Sequence, residues 1–168
     1  MNKQFTFFWQ GPFSQWHRAN FTIDGVTYNC AEQYMMHQKA LLFADYDVAK
    51  QIMASTNPKE QKALGRKIKN FDMHWWNENC IQIVFRGNHG KFSQNKRLYD
   101  MLMNTTPNTL VEASPFDNIW GIGIDEKTAI KTPQEEWKGT NWLGYTLTNL
   151  REFFEEEERI EKAQKNVR

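Results

Sequence analysis

The hydrophobic pattern of the chain breaks into short segments. Phe5 to Trp9 is an apolar, aromatic run that reads as a short strand, and Gly11-Pro12 ends it. Phe21 to Asp24 and Val26 to Tyr28 flank Asp24-Gly25, the signature of a tight hairpin. A helix is predicted from about Cys30 to Leu42, with Asn29 as its cap and Glu32 three residues on, as in a capping box. Asn57-Pro58-Lys59-Glu60 marks a second helix start: a cap, a proline at the first helical position and an early carboxylate. Cys80, Ile83, Val84 and Gly87 recur at helical spacing, as do Leu98, Met101 and Leu102, and Thr106-Pro107-Asn108 ends that run. Thr109 to Ala113 and Ile119 to Ile124 read as strands, the second carrying glycines. A last helix runs from about Leu143 past Phe154. The expected class is α+β: one mostly helical domain over residues 1–154 around a few short strands. Residues 155–168 follow as a charged helix end that frays toward Arg168.

Composition narrows the class. The chain has 168 residues, 40% hydrophobic and 24% charged, which excludes a disordered tail and suits one domain with a real core. Its formal charge of +1 advertises neither a nucleic-acid nor a membrane binder. Two cysteines, Cys30 and Cys80, are too few for a disulfide scaffold, and neither belongs to a C-x-x-C pair. No run approaches the ~20 apolar residues that span a bilayer. No secretory signal is legible, so a reducing, cytoplasmic setting without a membrane partner is expected. His17, His37, His74 and His89 have no metal-ligand spacing, and no P-loop, dinucleotide fingerprint or nucleophile elbow is present. No metal or cofactor is expected.

Four constellations could carry chemistry. On the first long helix, Glu32, Met36 and Lys39 share a face, and Tyr34, Gln38 and Leu41 share its neighbour. Glu32 is either a catalytic carboxylate or simply part of the cap. The opening loop Phe13-Ser14-Gln15-Trp16 can grip a flat polar ligand, or can be a loop pinned by two buried rings. The stretch from Glu112 to Gly123 places Asp117, Trp120, Gly121 and Gly123 together. A ring can stack a base there, and bare glycines can let a sugar or phosphate reach main-chain amides; an ordinary Asx-turn at Asp117 is equally compatible. Gly139-Thr140-Asn141 precedes the last helix as its cap or as a phosphate contact. Arg86 to Phe92, with Lys91, is a basic patch or a helix C-terminus.

In this order, the four constellations resemble the NADAR family, named for NAD and ADP-ribose. Phe13-Ser14-Gln15-Trp16 matches its opening motif, with Gln15 where Asn is usual. Asp24-Gly25 and Tyr28 lead into Glu32, Tyr34, Met35, Gln38 and Lys39. Gly65-Arg66 with Trp75, Leu110-Val111-Glu112, Asp117 to Gly123, and Gly139, Asn141, Leu143, Gly144 and Leu147 complete the pattern. Thr140 stands where Lys is common and Trp142 where Arg is common. The resemblance spans about residues 5–154. It implies the NADAR fold and hydrolysis of an N-glycosidic bond between ribose and a base-like group. The favoured substrate is ADP-ribosylated guanine, as a small-molecule nucleotide or within ADP-ribosylated nucleic acid. Ribosylated riboflavin-pathway intermediates, and a non-catalytic ADP-ribose or NAD-binding module, are the alternatives. It implies either Lys39 as a Schiff-base nucleophile with Glu32 in proton transfer, or direct water attack on an oxocarbenium-like sugar with Glu32 or Asp117 as base and Trp120 stacking the leaving base. Phe13, Ser14, Trp16, Tyr34, Gln38, Arg66, Trp120, Gly121, Gly123 and Asn141 are the implied substrate contacts. For a third reading, nucleic-acid binding, Arg66, Arg86 and Lys91 would guide a modified strand.

Overall fold

The computed structural model describes residues 4–167. In chain order these form β1 (Phe5–Phe8), β2 (Phe21–Ile23), β3 (Val26–Tyr28), α1 (Ala31–Leu42), α2 (Tyr46–Ala54), α3 (Pro58–Gly65) and α4 (Met73–Ser93). There follow α5 (Lys96–Met103), β4 (Thr109–Glu112), α6 (Glu126–Ala129), a 3-10 turn at Gln134–Glu136, and α7 (Trp142–Lys165). The class is mixed, rich in helix with a few short strands, as the pattern predicts. The chain divides into two compact units. One is Gln10–Leu98; the other joins the chain up to Trp9 to the stretch from Tyr99 onward.

In the unit Gln10–Leu98, α1 packs against α2, α3 and α4. The β2–β3 hairpin pairs antiparallel, Phe21 opposite Tyr28, and its turn residues Asp24 and Gly25 both lie at positive φ (52° and 78°), as a two-residue hairpin turn requires. Phe21, Tyr28 and Tyr34 form one buried cluster, with the Tyr28 and Tyr34 rings edge to face at 4.9 Å. Gly87 makes room for it: a Cβ there would stand 2.5 Å from the Tyr34 ring.

The start of α1 differs from expectation. Its N-cap is Cys30, whose Sγ accepts from the Gln33 amide, and the Gln33 side chain accepts from the Asn29 backbone N–H at 2.8 Å. Gln33 therefore does the reciprocal capping expected of Glu32. The Asn29 side chain instead donates to the Ser55 carbonyl and accepts from Gln61. α2 and its cap Asp45, which accepts from the Val48 amide, were not foreseen.

In the other unit, β1 and β4 pair in parallel, Phe5 opposite Thr109 through Phe8 opposite Glu112. The second edge of β4 is closed largely by side chains. Thr148 Oγ1 accepts from Leu110 N–H, Asn141 Oδ1 accepts from Glu112 N–H, and Asn141 Nδ2 donates to the Leu110 carbonyl. Gly144 lets α7 approach this edge, since a Cβ would come within 2.3 Å of both the Asn141 Oδ1 and the Leu110 carbonyl.

The strand expected at Ile119 to Ile124 is a coiled loop. Its carbonyls are spent on the start of α7. Asn118, Gly121, Ile119 and Trp120 accept from the amides of Thr140, Asn141, Trp142 and Leu143 respectively, so the orphan donors of the helix end are satisfied by main chain. α7 buries Leu143, Leu147, Leu150 and Phe154 on one side, and the charged stretch after Phe154 continues the same helix to Lys165. The expected fraying at Arg168 falls outside the described residues.

Candidate active site on helix α1

Glu32 and Lys39 sit two turns apart on α1. Glu32 is buried, and its backbone N–H donates to the Gln15 carbonyl at 2.9 Å. Lys39 is half-buried. Its Nζ donates to the Gly65 carbonyl at 3.1 Å and lies 4.6 Å from the Phe71 ring centre and 5.4 Å from that of Trp76. Gly65 brings that carbonyl close, because a Cβ there would stand 2.1 Å from the Met36 sulfur. Burial pushes the Lys39 amine below the ordinary lysine range; the Glu32 carboxylate pulls it back up, and the Arg66 guanidinium lowers it further. An amine held under two aromatic rings and partly desolvated is suited to act as a nucleophile. The tryptophan at Lys39 is the buried Trp76, whereas Trp75, the family match, is exposed.

The opening loop is tied down from below. Phe13 stacks on Phe92 at 6.2 Å, and Ser14 Oγ accepts from the Trp16 amide. The Ser14 carbonyl accepts from Lys91 Nζ at 2.9 Å, and Gln15 Oε1 accepts from Asn88 Nδ2 at 2.9 Å. Lys91 has no exposed surface, and burial pushes its amine down to about 7. Of the two readings of Arg86 to Phe92, the helix C-terminus holds: Lys91 lies in the last turn of α4. Lys91 points into the core, and Arg86 is paired with Asp24 at 2.7 Å across the hairpin turn. Lys91, having no exposed surface, is not placed to meet a nucleic-acid strand.

Other expected contacts divide. Tyr34, expected at the ligand, is a core residue, 1% exposed, because Gly87 admits its ring into the interior. Gln38 is half-buried and donates to the Tyr28 hydroxyl at 3.5 Å, which also meets His37 Nδ1 at 2.9 Å. Trp16 is exposed, with Lys62 Nζ 6.0 Å from its ring. Arg66 is the exposed C-cap of α3. Lys62 beside Trp16, and the Phe71 and Trp76 rings at the Lys39 amine, were not foreseen from sequence. The i, i+4 spacing of Lys62 and Arg66 was the available signal.

In the unit that holds β4 and α7, Asp117 forms the Asx-turn: its Oδ1 accepts from the Ile119 and Trp120 amides at 2.9 and 2.8 Å. The Trp120 ring is half-buried, edge-on to Trp142 at 5.7 Å. Gly121 is packed against main chain, where a Cβ would lie 2.8 Å from the Glu112 carbonyl, and Gly123 has φ of 71°. Asn141, expected at the substrate, is 2% exposed with both side-chain atoms spent on β4. Thr140 Oγ1 donates to the Ile119 carbonyl. The phosphate contact considered at this helix start is thus met by main-chain carbonyls.

Among the described residues, no group of three His, Cys, Asp or Glu side chains is disposed to hold a metal ion. No helix among them is long and apolar enough to cross a membrane.

The chain is 44% identical over 145 residues to N-glycosidase R617 of Acanthamoeba polyphaga mimivirus, covering 83% of this chain and 85% of that protein. It is 30% identical over 142 residues to N-glycosidase YbiA of Escherichia coli (strain K12), covering 84% and 80%. The NMR structure of Escherichia coli YbiA superposes with a TM-score of 0.77 at 28% identity, over 94% of this chain and 89% of that one. The NADAR domain profile matches residues 7–155, and the chain belongs to the NADAR domain family.

Proposed function

We propose that this chain is an N-glycosidase that hydrolyses the bond between ribose and a base-like group, with ADP-ribosylated guanine as its substrate. Relatives named as N-glycosidases support the reaction class. The observation that carries the reading is the Lys39 amine, half-buried under Phe71 and Trp76 on the same helix as the buried Glu32. The free thiols of Cys30 and Cys80 are consistent with a reducing, cytoplasmic setting.

In this mechanism the ribose ring opens as O4′ takes a proton from Glu32, leaving C1′ doubly bonded to the base nitrogen. The neutral Lys39 amine adds to C1′. The base leaves with the electron pair of the C1′–N bond and a proton, and Lys39 is left as an iminium on C1′. Water adds to that carbon, and collapse of the adduct returns the amine and frees the sugar. Glu32 takes up and returns the protons of the two additions. The aromatic pair limits water at the amine and keeps a fraction of it neutral. Asp117 holds the Trp120 backbone, and we assign it a positioning role within its own unit. Trp120 offers a ring face to a flat group there.

The test is product analysis by mass spectrometry. The full chain is incubated with ADP-ribosylated guanosine, NAD and ribosylated pyrimidines of the riboflavin pathway. Release of guanine from the first supports the assignment. Release only from the pyrimidines moves the substrate to that alternative, and binding without release supports a non-catalytic module.

A further inference from the structure

The formal charge of +1 hides an uneven division. Residues Gln10–Leu98 carry twelve Lys and Arg against seven Asp and Glu, whereas the unit of β1, β4 and α7 carries nine against thirteen. In that acidic unit, alternation along the paired strands puts Phe5, Phe7, Val111 and Ala113 on one face, packed with Ala129 of α6 and with Trp137. Glu112 belongs to the other face. Just past the end of β1, Trp9 and Ala113 border a cavity of about 330 Å³ whose remaining walls are Phe8, Asp125, Glu126 and Lys127. None of these six residues has a part in the N-glycosidase reading.

The rings at this cavity are left open. Trp9 is 42% exposed, and the Phe116 ring, 85% exposed, lies 5.7 Å from it at 44°. Two large aromatics kept at the surface side by side form an apolar patch rather than a piece of core. The charges beside them favour a cation. Asp125 and Glu126 outnumber Lys127, and Glu126 has no ion pair among the described residues. The Thr128 amide holds the Asp125 carboxyl below the ordinary carboxylate range, so it stays charged. The volume lies at the small end of the ~300–1,000 Å³ of ligand pockets, which suits a ligand of amino-acid size.

We propose that this cavity binds an organic cation, a guanidinium or alkylammonium on an apolar stem, with Trp9 and Phe116 against the stem and the charge, and Glu126 and Asp125 as counter-ions. An aromatic face attracts a cation through its quadrupole, and a neighbouring carboxylate adds an ion pair without covering the ring. The plain alternative is that the two acids serve only the start of α6. Asp125 is its N-cap, and Glu126 stands in its first turn. That accounts for the acids but leaves two exposed rings beside them without a role.

The test is calorimetric titration of the full chain with agmatine, with the blocked peptide acetyl-Gly-Arg-Gly-amide, and with the same peptide carrying citrulline, which keeps the shape of arginine and lacks its charge. The variants are Glu126→Gln/Phe116→Ala, both at exposed positions, and Glu157→Gln as an acidic control in the same unit. The proposal predicts that agmatine or the arginine peptide binds and that the citrulline peptide binds about tenfold more weakly or not at all. The double variant should weaken the cation by about tenfold, as joint loss of an exposed ion pair and a cation–π contact does, with the thermal midpoint unchanged. Glu157→Gln should leave binding as it is. Binding of agmatine assigns the site to a free amine; binding of the peptide alone assigns it to a basic side chain of another protein. The proposal is overturned if neither cation binds, if citrulline binds as well as arginine, or if the control weakens binding as much as the double variant.

Discussion

The Lys91 amine, with no exposed surface, donates to the Ser14 carbonyl at 2.9 Å and so fixes the opening loop from inside α4. Asn88, one turn earlier, holds the neighbouring Gln15 side chain, and the Gln15 carbonyl in turn receives the Glu32 amide. The loop and the acidic end of the candidate site are thus set by one buried cation and one buried amide.

That burial has a pH signature. The folded Lys91 amine titrates at about 7, below the ordinary 10.5, so the unfolded chain binds more protons between those values. The cost of burying the charge is fully present below pH 7 and is relieved as pH rises toward 10.5. Cys30, raised by burial from 9.0 to about 11, acts in the opposite sense above pH 9. Urea denaturation of wild type and Lys91→Met should therefore show the wild type gaining stability relative to the variant from pH 7 to 9. A difference flat with pH contradicts the shift.

For Glu32 and Gln33 the expectations separate function from folding. Gln33→Ala removes buried hydrogen bonds to Asn29 N–H and to the Ile52 and Ser55 carbonyls, and should cost about 1–3 kcal/mol in denaturant melts. Glu32→Gln keeps the shape and leaves that network untouched. It should lower turnover by about a hundredfold or more, as loss of a general acid does, with a thermal midpoint close to wild type.

The edge of β4 supplies a packing test. Gly144→Ala drives a methyl within 2.3 Å of the Asn141 Oδ1, which accepts from the Glu112 amide, and of the Leu110 carbonyl, which accepts from Asn141 Nδ2. Overpacking of that kind costs about 1–3 kcal/mol or more. Asn141→Ala leaves the Glu112 amide and the Leu110 carbonyl without their partner and should cost a similar amount. Thermal melts of both variants check this.

Rate against pH tests the Lys39 environment. Burial lowers the Lys39 pKa, so the neutral amine becomes available, and turnover should rise, at a pH below the ordinary lysine value of 10.5. Arg66→Gln removes a positive neighbour and should move that rise to higher pH.

Much of the layout was legible. The Asp24-Gly25 turn, the proline-led start of α3 and the apolar stripe of α7 each follow from short-range chemistry. What escaped depends on partners far along the chain. Ile119 to Ile124 looks like a strand because its residues favour one, yet its carbonyls go to the start of α7. Tyr34 is a ligand contact only as the family resemblance implies, and the missing side chain of Gly87, far along the chain, is what admits its ring to the interior. Asn29 and Glu32 fit a capping box, but Cys30 and Gln33 make the better one, because Gln61 and Ser55 draw Asn29 away. In the candidate site, the shared face of Glu32 and Lys39 followed from the spacing on α1. Phe71, Trp76 and the Gly65 carbonyl reach Lys39 only through packing.

The central claim is that the Lys39 amine forms a covalent bond to C1′ of the sugar. Borohydride added during turnover of ADP-ribosylated guanosine should reduce the iminium and leave a stable sugar adduct, located on Lys39 by peptide mass spectrometry. Lys39→Arg, which keeps a cation to meet the Gly65 carbonyl but cannot act as a neutral amine, should fold, form no adduct and lose turnover. Full turnover by that variant, or base release in wild type with no trapped adduct, would contradict the account.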